Sequence, residues 1–394
     1  MGMRIGIVAD DLTGAADTAV AFLEARMPVS VRFARPDLEM ELARIGSGAV
    51  AIDAGTRGVG VESAGLLALA AAGAFKRAGF DVLYKKIDSL LRGHVAAEVR
   101  ATMTAWGPGS VAIVAPAFPA VGRTTVDGRA VIAGHPHAGA SVVDLFAGSA
   151  RVQPIGLDGV RSPTFAQRLG DVASADGVIV CDAESDADLR SIARAGLVAR
   201  RPTVWVGSAG LAHALAGELR LTPPLARPRP PRVHGPILAV VGSLTSIAQA
   251  QARRLVTEGV THVRVSPGEL MGMALPLRVD AALGRFEDVL VTIDAPSPIE
   301  GEGDAQLVAL LGAALAPSVV RHAGGLVLTG GDTAAGLLRA LGCTGLDLAA
   351  EIEPGVVLST SAGLRECPVI TKSGSFGDAS TLASAVRYLR GLRE

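Results

Sequence analysis

Arg4-Ile5-Gly6-Ile7-Val8-Ala9-Asp10-Asp11-Leu12-Thr13-Gly14-Ala15 is the stretch from which the fold is read. Residues 4–8 make a strand-length apolar run that does not alternate, two carboxylates follow at once, and a helical pattern occupies 14–26. A non-alternating apolar strand is buried on both faces, the situation of a parallel sheet covered by helices. The rhythm recurs. Strands are expected at 28–34, 49–53, 82–87, 110–115, 177–182 and 203–207. Between them fall an Ala-rich helix at 61–78, a helix after Gly93, and helices beginning near Ser185 and Ser208. Right-handed crossovers then bring the strand C-terminal ends to one edge, where ligands bind.

Bulk composition agrees. A chain of 394 residues exceeds what one core usually organises, so two domains are expected. With 49% hydrophobic residues but only 3% aromatic, the apolar mass is mainly small and aliphatic, as buried strands flanked by Ala-rich helices require. A net charge of −1 gives no electrostatic case for nucleic acid or an anionic membrane. Cys181, Cys343 and Cys367 lie far apart without a C-x-x-C pair, which argues against a disulfide framework or a zinc site. The N-terminus runs directly into a strand pattern, and no apolar run is long enough to span a bilayer, so a cytoplasmic chain is expected. A homo-oligomer is compatible with all of this.

Residues 221–235, LTPPLARPRPPRVHG, break the rhythm with five prolines and no periodicity. Proline at this density stiffens the chain and excludes a central strand. The expected organisation is therefore a first domain at 1–220, a linker at 221–235 and a second domain at 236–394. In the second domain strands are expected at 237–241, 288–293, 325–329 and 369–371, and helices at 247–258, 305–315, 333–341 and 380–392. The expected fold class is α/β, with each domain a mainly parallel sheet flanked by helices and the active site in the interdomain cleft.

Polar clusters recur where an apolar strand ends. They are Asp10-Asp11-Leu12-Thr13-Gly14, Asp53-Ala54-Gly55-Thr56-Arg57, Lys85-Lys86-Ile87-Asp88-Ser89 leading to Arg92, and Gly122-Arg123-Thr124-Thr125 after a Pro-Ala-Phe-Pro turn. Carboxylates there can accept a hydroxyl proton or hold Mg²⁺, and the cations can clamp a carboxylate or a phosphoryl group. Each cluster has a plainer reading. Asp11 or Thr13 would serve as a helix cap, and Lys86, Asp88 and Arg92 as a solvated ion-pair face. Arg123-Thr124-Thr125 would serve as a turn before a hairpin, and Arg57 as a surface residue. His135 and His137 flank Pro136 in an expected turn.

In the second half Gly242-Ser243-Leu244-Thr245-Ser246, Thr329-Gly330-Gly331-Asp332-Thr333 and Lys372-Ser373-Gly374-Ser375-Phe376-Gly377 also follow strands and precede helices. Glycine admits an anion close to the backbone, and a helix N-terminus presents N–H groups to phosphate. Three such loops suggest a nucleotide site, although each alone is an ordinary tight turn. G-x-x-x-x-G-K-[ST], G-x-G-x-x-G and G-x-S-x-G are all absent, which counts against P-loop, dinucleotide and hydrolase readings.

Taken in order, ADDLTGA at 9–15, KIDSLLRG at 86–93, PAFP at 116–119 with GRTT at 122–125, TGGDT at 329–333 and KSGSFG at 372–377 resemble the four-carbon acid sugar kinases. That family includes erythronate, threonate and 3-oxo-tetronate kinases, and the resemblance runs over essentially the whole chain. It implies an N-terminal acid-sugar domain, a C-terminal ATP domain and phosphorylation of a terminal hydroxyl. It also implies acceptor contacts from Asp10, Asp11, Arg57, Lys86, Ile87, Asp88, Ser89 and Arg123. ATP contacts are implied for Ser243, Gly330, Gly331, Asp332, Thr333 and Gly374, with Mg²⁺ as companion ion and no metal ligand assigned. Leu90 stands where the family usually has threonine, Ser375 stands for a glycine, and the stretch 134–158 is short. These departures bear on which acid is used.

On this reading Asp11, ahead of Asp88, orients or deprotonates the attacking hydroxyl, while Lys86 and Arg57 hold the substrate carboxylate. Domain closure excludes water. The competing readings are an oxidoreductase or lyase acting on hydroxy acids, and a non-catalytic sugar-acid binding protein.

Overall fold

The computed structural model describes residues 2–133, 139–148, 151–172, 177–198, 201–219, 231–272, 274–294, 302–362 and 367–393. Two compact units partition the chain, Met1–Ala226 and Arg227–Glu394. Residues 221–230 of the proline-rich segment, and His135 and His137, lie outside the described residues.

The first unit contains β1 (Arg4–Ala9), β2 (Val29–Phe33), β3 (Gly48–Asp53), β4 (Val82–Lys86), β5 (Val111–Ala115), β6 (Arg123–Val126), β7 (Arg129–Ile132), β8 (Val152–Ile155), β9 (Val178–Cys181) and β10 (Thr203–Gly207). Eight of them form a parallel sheet in the order β2-β3-β1-β4-β10-β5-β9-β8. β1 is buried along its whole length, as its unbroken apolar run requires. Helices Leu12–Ala19 and Ala209–Glu218 pack together, whereas Val61–Arg77 packs on Val95–Trp106. Below the second pair Phe75, Val99, Met103 and Trp106 join Val8, Ile52, Leu83 and Val206 in one core.

The expected helix at 14–26 is instead two, Leu12–Ala19 and Ala21–Glu24. The first starts early because the Asp11 side chain accepts the Gly14 N–H and caps it. β6 and β7 form an antiparallel hairpin apart from the main sheet, so Arg123-Thr124-Thr125 opens that hairpin.

The second unit contains β11 (Ile237–Val241), β12 (Thr261–Val265), β13 (Val289–Ile293), β14 (Gly325–Thr329), β15 (Gly345–Glu353), β16 (Val356–Ala362) and β17 (Pro368–Lys372). Their order is β12-β13-β11-β14-β17-β16-β15. The first five run parallel, and β16 pairs antiparallel with both β17 and β15. Polar residues such as Asp347, Glu351, Glu353 and Thr360 obscure β15 and β16 as apolar runs, and neither was expected. Among the described residues no helix is long and apolar enough to cross a membrane. The three cysteines are buried, and none is disulfide-bonded.

Candidate functional site

Parallel pairing of β3, β1 and β4 aligns their C-terminal ends: Ala9 lies opposite Asp53, and Val8 opposite Lys85. The chain leaves β1 into the helix Leu12–Ala19 and leaves β4 toward Val95–Trp106, which belong to the two different helix pairs. This divergence is a topological switch point, the usual place for a ligand in an open α/β sheet.

The predicted residues converge there. The Lys86 ammonium lies 2.7 Å from Asp10 Oδ1 and 3.6 Å from Asp11 Oδ1. Arg57 donates through Nε (3.1 Å) and Nη2 (2.6 Å) to Asp10 Oδ2 and through Nη1 (2.5 Å) to Asp11 Oδ2, and its Nη2 is 3.8 Å from Asp88. Asp88 accepts from Arg92 at 2.8 and 3.0 Å and from the Leu90 and Arg92 backbone N–H groups. Its loop holds buried Leu91 at φ 63°, a strained conformation for a branched residue. Arg123 reaches in from the hairpin to donate to Ser89 Oγ. Ile87 differs from the rest: its side chain belongs to the apolar core, and its N–H donates to Gly207 O.

Gly14 is what allows this approach. A Cβ there would lie 2.1 Å from Lys86 Nζ and 2.6 Å from Asp11 Oδ1. Asp11 is therefore both helix cap and ion-pair partner, so the two sequence readings of it are compatible.

In the second unit β11, β14 and β17 are parallel neighbours, with Val241 opposite Thr329 and Thr329 opposite Lys372. Their three glycine-containing loops meet. Thr245 Oγ1 donates to Gly374 O at 2.6 Å and accepts from the Ala248 N–H at the start of its helix. A Cβ on Gly242 would lie 2.0 Å from Thr333 Oγ1, and one on Gly374 would lie 2.0 Å from Ser243 Oγ. Gly330, at φ 101°, precedes the helix Gly331–Ala340, whose N-terminus has no side-chain cap. Lys372 Nζ donates to Ser373 O and Phe376 O and so shapes the third loop. Burial lowers the pKa of Lys372 to about 8, against the opposing pull of Glu353. Hydroxyls, close glycines and a helix N-terminus brought together in this way are the components from which backbone-lined anion sites are built.

Two family models match successive parts of the chain. Residues 5–215 match the family model "Sugar-binding N-terminal domain", and residues 238–382 match "Nucleotide-binding C-terminal domain". The D-threonate kinase of Cupriavidus necator is 37% identical over 95% of this chain and 95% of its own. The chain belongs to the four-carbon acid sugar kinase family. The D-threonate kinase of Bordetella bronchiseptica is 34% identical over 100% of this chain and 99% of its own. A solved structure from Salmonella typhimurium LT2 shares the fold, with a TM-score of 0.76, 21% identity and coverage of 99% and 100% of the two chains. Membership of this kinase family displaces the binding-protein and the oxidoreductase or lyase readings.

Charge pairing sets the protonation state of the Asp10, Arg57, Lys86 and Asp88 cluster. Burial by itself raises the Asp10 pKa, but Lys86, Arg57 and Lys85 overcome it and hold the carboxyl well below the usual carboxylate range. Asp88 behaves alike: burial raises it, and Arg92, Lys86 and Arg57 bring it down to about 2. Burial lowers Lys86, and Asp10 and Asp11 more than restore it, so its pKa is raised. Because the Asp88 pKa is lower when folded, its contribution to stability is present above about pH 4 and lost as the pH falls toward 2. In urea unfolding, wild type is expected to lose about 1 kcal/mol more than Asp88→Asn between pH 6 and pH 3. Equal losses would show that Asp88 is not ion-paired in solution.

One further residue beneath this cluster, Glu98, escaped the sequence reading, and Lys85 was named there only as part of its polar loop. Glu98 and Lys85 form a buried pair, with Nζ to Oε2 2.9 Å. Glu98 was legible in principle, because it interrupts the apolar stripe Val95, Val99, Thr102, Met103 and Trp106 of its helix.

Proposed function

We propose that this kinase transfers the γ-phosphoryl group of ATP to the terminal hydroxyl of D-threonate. The proposal rests above all on the Asp10, Asp11, Asp88, Lys86 and Arg57 cluster, which offers both signs of charge within a few ångströms. A sugar acid needs that combination: N–H donors for its carboxylate and carboxylate oxygens for its hydroxyls. D-Threonate is chosen because two D-threonate kinases are 37% and 34% identical to the chain over nearly its whole length. We take 1–220 as the acid-sugar domain, 221–235 as linker and 236–394 as the ATP domain.

Lys86 and Arg57 keep N–H groups beyond those given to Asp10 and Asp11, and these would receive the substrate carboxylate. Asp11, or Asp88, accepts the hydrogen bond of the attacking hydroxyl and orients it. The new bond joins that oxygen to the γ-phosphorus, the bond to the bridging oxygen of ADP breaks, and the hydroxyl proton leaves to the carboxylate or solvent. A weakly basic carboxylate suffices, because in a loose phosphoryl-transfer transition state the hydroxyl loses its proton late. Ser243, Gly330, Gly331, Asp332, Thr333 and Gly374 would hold the triphosphate, with Mg²⁺ carried on it to neutralise its charge.

The test is coupled ADP release with D- and L-threonate, D- and L-erythronate, 3-oxo-tetronates and glycerate. D-Threonate should give the highest kcat/KM, and silence on every acid would remove the proposal. In the same assay Gly374→Ala should raise the KM for ATP about tenfold, a loss of about 1.4 kcal/mol, without changing that for the acid.

A further inference from the structure

Beneath the acceptor cluster, the buried Lys85–Glu98 pair has no part in the scheme above. Successive strand residues face opposite ways, so Lys85 leaves β4 on the side away from Lys86. It meets Glu98 of the helix Val95–Trp106, and the two side chains are 1% and 2% exposed. Removing two charges from water is unfavourable, and an apolar pair of similar volume would often serve stability as well. The placement of this pair is therefore informative.

Between them the two side chains reach three strand ends. Glu98 Oε2 accepts from Thr56 Oγ1 at 2.8 Å. Lys85 Nζ donates to Lys86 O at 2.8 Å and lies 3.4 Å from Val8 O. Thr56 in turn donates its N–H to Asp10 O at 3.0 Å. Thr56 directly precedes Arg57, Lys85 directly precedes Lys86, and Val8 lies two residues before Asp10. The Glu98 carboxylate, through Thr56 and the Lys85 ammonium, thus links the ends of β1, β3 and β4, the strands that present Asp10, Arg57 and Lys86.

We propose that Glu98, acting through Thr56 and Lys85, is a positioning residue that holds Arg57, Lys86 and Asp10 in the arrangement that receives the sugar acid; this rests on the acceptor site read above. Thr56 is the sensitive link. Its hydroxyl joins Glu98 to the Arg57 loop, while the Lys85–Glu98 ion pair can survive without it.

The experiment is steady-state kinetics on Thr56→Val and Thr56→Ser with D-threonate and ATP, beside thermal melts of both. Thr56→Val keeps the volume and loses the hydroxyl, and should raise the acid KM about tenfold or more, since an ångström of misplacement is enough. The KM for ATP should stay within about twofold, and Thr56→Ser, which restores the hydroxyl, should recover the wild-type acid KM. An unchanged acid KM, or a lowered melting temperature with both KM values intact, would overturn the proposal and leave the pair a purely structural one. If Thr56→Val is unfolded at the assay temperature, Glu98→Asp supplies the same readings. It keeps the charge beside Lys85 but draws the carboxylate back from Thr56. A wild type that releases no ADP with any acid removes the acceptor reading itself and this inference with it, an outcome seen before any variant is made.

Discussion

Lys86→Met should lower kcat/KM for the sugar acid about a thousandfold, the scale seen when one preorganised charged or hydrogen-bonding group is removed from a reacting centre. Methionine keeps the length and apolar stem but donates nothing. Asp10 keeps Arg57, whose Nε and Nη2 both reach its Oδ2. The fold should therefore survive, and the loss should fall on acid binding and transfer. The KM for ATP should be unaffected. A variant with near-normal kcat/KM would remove Lys86 from the acceptor site. Lys86→Arg should not rescue, because Gly14 packs so closely on the ammonium that a bulkier guanidinium has no room.

The second large effect is on stability. Lys85→Met strands the Glu98 carboxylate in a site where its side chain is 2% exposed. Breaking a buried pair from one side costs about 3–5 kcal/mol, because the remaining charge has neither water nor a counter-ion. Thr56 would be its one remaining side-chain donor among the contacts seen. Urea unfolding should show that loss, and the double variant Lys85→Met/Glu98→Gln should recover most of it by removing the orphan charge. If Lys85→Met unfolds within about 1 kcal/mol of wild type, the pair is not closed in solution.

Several elements were legible in the sequence because burial on both faces leaves a simple trace. β1, β10, β11 and β14 are unbroken apolar runs, and polar residues begin where each ends. Asp10, Asp11, Arg57, Lys86 and Asp88 could be singled out because charge at the end of a buried parallel strand needs a reason. β15 and β16 left no such trace, since alternation with polar and acidic residues resembles a loop. Ile87 was grouped with its polar neighbours by adjacency, yet its side chain turns into the core. Glu98 was passed over because a glutamate on a helix is ordinarily solvated.

The sequence by itself determined the α/β class, the strand ends at which charge collects and, through five ordered motifs, the resemblance to acid sugar kinases. These depend on local composition and spacing. Tertiary structure alone decided which charges are partners. Asp10 and Arg57 are 47 residues apart, and Asp10 and Lys86 are 76 apart. Pairing at such separations depends on strand order and register, which no local pattern encodes. The same order brings Glu98 under the cluster and leaves room at Gly14 for the Lys86 ammonium. The Asp10-Asp11 turn thereby becomes an ion-paired site as well as a helix cap.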